Sequence, residues 1–263
     1  MSSRQFTDQM GRVISIIYPP LRIISLVPSQ TELLFDLGLD KEIVGITKFC
    51  IHPLDKFKAT AKIGGTKSLN LKKIRELEPD LIIGNKEENE QVQIEELISE
   101  FLVWMSDINV LEDALEMINK IGNLTGKSQE AEVLSFAILN EFETLKLAGG
   151  RKKKVAYFIW KDPYMIAGRD TFINDILNKA GFDNFTDLNR YPELSTDQIR
   201  ELNPELVFLS SEPYPFKDLH VQEMKAICPA AKVIVVDGEM FSWYGSRLIH
   251  TPSYLQTLTD LIN

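Results

Sequence analysis

Two decapeptides of this chain, about 125 residues apart, are nearly the same: Ile74-Arg75-Glu76-Leu77-Glu78-Pro79-Asp80-Leu81-Ile82-Ile83 and Ile199-Arg200-Glu201-Leu202-Asn203-Pro204-Glu205-Leu206-Val207-Phe208. Each reads as the end of a short helix, a proline that cannot continue it, and an apolar run bounded by polar residues, which suits a strand buried on both faces. A helix-Pro-strand unit present once per half implies two related lobes with a cleft between them.

The duplication extends further. In the first half Arg22 to Val27 reads as a strand, Ser29-x-x-Glu32 as a capping box, and Thr31 to Leu37 as a helix closed by Gly38. The second half repeats the order, with Lys154 to Trp160 as strand, Asp170 as N-cap, Thr171 to Ala180 as helix and Gly181 as the stop. Last strands are expected at Phe101 to Met105 and Lys232 to Val236, so both halves read β-α-β-α-β. Alternating strands and helices predict an α/β protein of two Rossmann-like lobes with parallel sheets, whose ligands collect at the strand carboxyl ends. Between the halves, Leu134, Ile138, Phe142 and Leu145 recur at helical spacing. One continuous helix, Ser128 to Leu147, about 30 Å long at roughly 1.5 Å per residue, is expected to join the lobes and end at Gly149-Gly150. The resulting division is a first lobe at 1–127, a connecting helix at 128–148 and a second lobe at 149–263.

Composition narrows the function. With 263 residues, 44% hydrophobic and 25% charged, the chain has material for about two ordinary domains. A net charge of −9 argues against a nucleic-acid partner, which needs a basic surface, and the basic run Arg151 to Lys154 reads as the solvated start of a strand. No apolar run reaches the roughly 18 residues of a membrane span. An export signal requires about 7 to 15 apolar residues, whereas Val13 to Ile17 leads into Tyr18-Pro19-Pro20. With Cys50 and Cys228 in different halves, the expectation is a cytoplasmic protein with reduced thiols, or a periplasmic one if the true start lies upstream.

Four motifs in order around the central helix then point to a family. Arg22-Ile23-Ile24-Ser25-Leu26-Val27-Pro28-Ser29-x-Thr31-Glu32, the turn Gly64-Gly65-Thr66-Lys67, Asn70-Leu71-x-x-Ile74 with Pro79-Asp80-Leu81, and Phe241-Ser242-Trp243-Tyr244-Gly245-x-Arg247 together resemble the vitamin B12-binding and iron-siderophore-binding components of ABC transporters. The resemblance implies a class III periplasmic-binding-protein-like fold with one backbone helix. It also implies a receptor that reversibly holds a corrinoid or metal chelate such as cobalamin, a ferric siderophore or haem. The cobalt or iron would belong to the ligand, and no tightly bound cofactor is expected. A further implication is an ABC transporter permease as partner, docked through an acidic residue near the start of the short helix in each lobe. The corresponding positions are Lys72 and Asp197; Asp197 keeps the acid, whereas Lys72 reverses the sign, which opposes docking on a permease arginine. Glu76 or Glu95 could present an acid nearby.

The loops after the expected strands furnish the candidate site. In the first lobe they bring Phe49, Cys50, His52 and Lys86; in the second they bring Trp160, Tyr164, Glu212, Tyr214, Phe241, Trp243, Tyr244 and, just beyond, Arg247. Flat aromatic faces with a few polar anchors suit a broad, partly apolar ligand, although Trp160 and Trp243 could equally pack beneath loops. In an extended segment Cys50 and His52 share a face and could both reach a metal centre; the alternative is a hydrogen-bonded loop histidine beside a small buried thiol. Arg247 could fork onto carboxylate, amide or phosphate oxygens, or cap a helix or pair with Glu239. Lys86 could serve as a second anchor or as part of a solvated helix start.

Two other functions fit two Rossmann-like lobes. A tetrapyrrole metal chelatase would need a base to take pyrrole protons, for which His52 and Glu212 are the candidates. A cytoplasmic carrier or sensor of the same ligands would explain Lys72 and the missing signal together. No G-x-G-x-x-G, P-loop or G-x-S-x-G motif supports other enzymatic chemistry.

Overall fold

The computed structural model describes residues 2–146 and 151–262. The duplicated decapeptide folds the same way twice. Helix Leu71–Leu77 is N-capped by Asn70, whose side chain accepts from the Lys73 N–H, and helix Thr196–Leu202 by Ser195, which forms a reciprocal box with Gln198. Both end on a left-handed residue, Glu78 at φ 45° and Asn203 at φ 44°. Proline follows, and then a wholly buried strand, Leu81–Asn85 or Leu206–Ser210. The two glycine stops also match bond for bond. Gly38 N–H donates to Phe35 O and Leu39 N–H to Leu34 O, while Gly181 N–H donates to Asn178 O and Phe182 N–H to Leu177 O. This is the paired closure of a Schellman motif, with Gly38 at φ 80° and Gly181 at φ 79°.

A left-handed glutamate is strained where glycine is not. Glu78→Gly is expected to raise stability by about 0.5–1 kcal/mol, and Asn203→Gly by less, because asparagine tolerates this conformation better. Thermal unfolding of the two single variants checks the order.

The chain forms two compact units. The first comprises Met1–Ile108, Glu112–Leu139 and Trp243–Ile249; the second comprises Asn109–Leu111, Asn140–Ser242 and His250–Asn263. Helix Ser128–Thr144 starts in the first unit and ends in the second. It stops short of the expected Leu147, which lies outside the described residues together with Gly149, Gly150 and the lobe boundary expected there.

The first unit is built on a five-stranded sheet, in the order Ala61–Lys62, Ile43–Ile46, Ile23–Ser25, Leu81–Asn85, Val103–Ser106, with every pairing parallel. Strand order reverses beside Ile23–Ser25, so the loops after Ser25 and Asn85 leave from a switch point, where such sheets bind ligands. Trp104, 1% exposed, belongs to the core here. Ahead of the sheet lies an antiparallel hairpin, Ser2–Thr7 with Val13–Tyr18, outside the β-α-β-α-β order expected of the first half. Its turn is anchored by the buried Asp8, which accepts from Met10, Arg12 and Met105 N–H groups and from the Arg12 guanidinium.

In the second unit Lys154–Trp160, Leu206–Ser210 and Lys232–Val236 are parallel. To this core the chain adds Tyr164–Ile166 and Glu193–Leu194, both antiparallel to their neighbours. Tyr164, expected in a loop, lies in a strand, because Asp162-Pro163 turns the chain straight back along the strand it has just left.

Two expected caps are corrected. Helix Pro28–Asp36 begins earlier than expected, with Val27 at its N-cap and no side-chain cap bond, so Ser29 lies inside the helix and forms no capping box with Glu32. Helix Phe172–Lys179 is capped by Thr171, which accepts from Asn174 N–H, rather than by Asp170.

Candidate ligand-binding surfaces

In the first unit, the segment following Ile43–Ile46 turns at Lys48-Phe49, and beyond the turn Cys50 is buried while His52 is half-buried. Cys50 is fully buried, its sulfur 3.1 Å from both Thr31 Oγ1 and Thr47 Oγ1, and burial raises its thiol pKa. An enclosed thiol of raised pKa matches the small buried cysteine that the sequence offered as the alternative to a metal ligand. Among the described residues, no group of three or more His, Cys, Asp or Glu side chains is placed to hold a metal ion. His52 itself is half-buried, its ring edge-on to Trp243 with centroids 5.6 Å apart.

Trp243 and Arg247 reach this unit because 243–249 folds onto helix Pro28–Asp36. Gly245 permits the approach: a Cβ there would sit 2.4 Å from the Ser29 carbonyl oxygen. Arg247 then forks onto Glu32, with Nε to Oε2 at 2.9 Å and Nη2 to Oε1 at 2.6 Å, and its guanidinium carbon stands 4.7 Å from the Trp243 ring centroid. Ser246 adds a bond to Asp36. Within the first unit, Glu32 is the acid that Arg247 pairs with. Burial is the larger influence on Glu32 and raises its pKa, while the Arg247 bonds and charge lower it. Trp243 and Tyr244 are each only 6% exposed, whereas Phe49 is 51% exposed beneath the Lys48 ammonium.

A buried polar chain, unforeseen from the sequence, stiffens the other loop of the switch point. Gln30 Nε2 and Asn85 Nδ2 both donate to Ser106 Oγ, at 2.6 and 2.9 Å. Asn89 Oδ1 accepts from the Asn85 N–H, and Asn85 Oδ1 accepts from Glu87 and Glu88 N–H groups. Its one visible signal was an asparagine closing an apolar strand, Leu81–Asn85. Lys86, on the loop so held, is exposed and pairs with Asp107 at 2.6 Å.

In the second unit, Trp160 ends its strand 41% exposed, edge-on to Tyr214 at 5.6 Å. Tyr214 stacks at a tilt on Phe216, 4.7 Å away, and Tyr164 packs edge-on to Phe158 at 5.7 Å. Tyr164 is half-buried, which raises its pKa. Glu212 accepts from Ser242 Oγ at 2.8 Å. Phe241 is corrected from surface to core: it is fully enclosed, 5.0 Å from Tyr157 and 6.2 Å from Tyr254, and presents no face to a ligand. A separate concavity of about 520 Å³ in this unit is lined by polar side chains, among them Lys154, Arg169, Asn174 and Asp187, and contains none of the expected site residues.

The docking positions fall one residue into their helices, as the repeat requires. Asp197 is exposed and pairs with Arg200 at 2.6 Å, while Lys72 is exposed on a first turn that carries no acid.

Known proteins resemble this arrangement over its whole length. The vitamin B12-binding protein of Salmonella paratyphi A is 24% identical over 272 residues, covering 100% of both chains. An uncharacterized ABC transporter substrate-binding lipoprotein of Bacillus subtilis is 24% identical over 258 residues, covering 92% of this chain and 81% of the relative. The solved periplasmic haem-binding protein of Roseiflexus shares the fold, with a TM-score of 0.78 at 20% identity over 91% of this chain and 96% of the other. No helix among the described residues is long and apolar enough to cross a membrane. The family model described as periplasmic binding protein matches residues 23–231, and with most of its length so matched the chain belongs to the periplasmic binding protein family.

Proposed function

We propose that this protein reversibly binds a metal chelate or corrinoid, of the class that includes cobalamin, ferric siderophores and haem, and presents it to an ABC transporter. The observation that carries the reading is Trp160, an indole left 41% exposed at a strand's carboxyl end and braced by Tyr214. An open aromatic face held by a second ring suits a broad apolar ligand surface, and Phe49 offers another in the first unit. Similarity to proteins named for vitamin B12 and for haem supports the same class. The metal would arrive already chelated, and binding without turnover is the activity. The chelatase alternative draws no support from its candidate bases, since His52 packs on Trp243 and Glu212 is held by Ser242.

The proposal places the protein outside the cytoplasm, like relatives named periplasmic or lipoprotein, and so departs from the cytoplasmic expectation. In the permease contact Asp197 would supply the acid of the second unit, and Glu76, exposed one turn beyond Lys72, that of the first. Equilibrium dialysis against cyanocobalamin, haemin and ferrichrome tests the binding claim. One probe should be retained saturably at one per chain; retention of none would contradict it.

A further inference from the structure

His220 lies outside the candidate residues, yet the structure fixes which of its nitrogens carries the proton. It is the third residue of helix Asp218–Ile227, 9% exposed, and its Nδ1 accepts the Lys217 backbone N–H at 2.8 Å. Histidine thus returns to the N-cap backbone as Glu or Gln does in a capping box. A nitrogen that accepts has its lone pair free, so the neutral ring carries its hydrogen on Nε2. That atom is 3.3 Å from Tyr214 Oη, so His220 donates and Tyr214 accepts. The phenol's own hydrogen is then not taken up by His220, and among the described residues Tyr214 Oη makes no hydrogen bond to another protein group.

Tyr214 is only partly buried, lies against the exposed Trp160, and is braced by Phe216 and by the edge-on His220 ring. We infer that His220 is a positioning residue that sets Tyr214 as a hydrogen-bond donor, so that the Trp160 surface selects ligands bearing a carbonyl or carboxylate oxygen at their edge. This rests on the proposed binding function. The oxygen could be an amide carbonyl, as on cyanocobalamin, or a carboxylate, as on haemin; the shared requirement is an acceptor.

Two substitutions separate the ring's two bonds. Asparagine at 220 keeps an acceptor near the Nδ1 position but loses the donor to Tyr214, whereas glutamine places an amide near the Nε2 position. Imidazole nitrogen NMR of the unliganded protein should show His220 protonated at Nε2 alone; a hydrogen on Nδ1 would overturn the inference. With cyanocobalamin, haemin and ferrichrome as separate probes, Tyr214→Phe should weaken the bound one about tenfold, the contribution of one hydrogen bond. His220→Asn should weaken it in the wild-type background but not further in Tyr214→Phe, and His220→Gln should restore part of the loss. Unchanged affinity in Tyr214→Phe, or an equal loss from His220→Asn in both backgrounds, would reduce His220 to a helix cap and overturn the inference. Saturable binding of no probe by the wild-type protein would overturn the functional reading itself, and the ligand-selecting role with it, independently of the spectrum.

Discussion

Arg247→Ala is expected to destabilise the first unit by about 3 kcal/mol, the cost of leaving a buried carboxylate without its partner. Both side chains of the pair are largely enclosed, Arg247 14% and Glu32 15% exposed, and both forks of the interaction are made. The loss should depend on pH with a definite sign. Burial holds the Glu32 pKa above 4.5, so the folded protein binds this proton more tightly than the unfolded chain does. Its stabilising share is therefore fully present below about pH 4.5 and lost as pH rises through the raised value. Removing Arg247 takes away the opposing influence, so the loss should be smallest in acid, where Glu32 is neutral, and complete near neutrality. Glu32→Gln in the Arg247→Ala background should recover more than half of it. Urea unfolding of the four chains of this cycle at acid and neutral pH measures each quantity; a loss independent of pH would mean that Arg247 acts through packing alone.

Gly245→Ala should cost a similar amount, about 3 kcal/mol, by a different route. The new methyl would meet the Ser29 carbonyl at 2.4 Å and its carbon at 3.2 Å, and a helix backbone cannot yield as a flexible side-chain tip can. Relief requires moving 243–249 away from helix Pro28–Asp36, which also pulls Arg247 off Glu32. The two substitutions should therefore combine to less than their sum. Urea unfolding of the single and double variants tests this, and full additivity would show that the glycine contact and the ion pair are independent.

How far the sequence discloses this molecule depends on the range of the interactions. The repeated helix-Pro-strand units, both glycine stops and the central parallel strands were legible because each is set within a few residues: a cap, a proline, an apolar run. Ser29-x-x-Glu32 misled for the same reason. Its spacing suits a capping box, but Pro28 already occupies the first helical turn, and the partner that claims Glu32 stands 215 positions away. The antiparallel return at Tyr164–Ile166 was hidden because its strand is only three residues long, too short for alternation to announce it, although Lys161-Asp162-Pro163 ahead of it carries a turn signal. For the candidate site, sequence brought the correct loops into view but not the burial of their members. Trp160 and Phe49 are open while Phe241 and Cys50 are enclosed, a distinction made by tertiary packing on residues of equally apolar type.

The central claim, that an exposed aromatic surface binds a metal chelate or corrinoid, is tested most directly by tryptophan fluorescence during titration with cyanocobalamin, haemin and ferrichrome. The signal is corrected for absorption by the probe and recorded for the wild-type protein and Trp160→Ala. The proposed function requires saturable quenching by one probe at micromolar concentration or below. It also requires that probe to bind at least about tenfold more weakly in Trp160→Ala, as loss of a large buried contact demands, with the urea midpoint unchanged. No saturable response to any probe, or the same dissociation constant in both proteins, would contradict it.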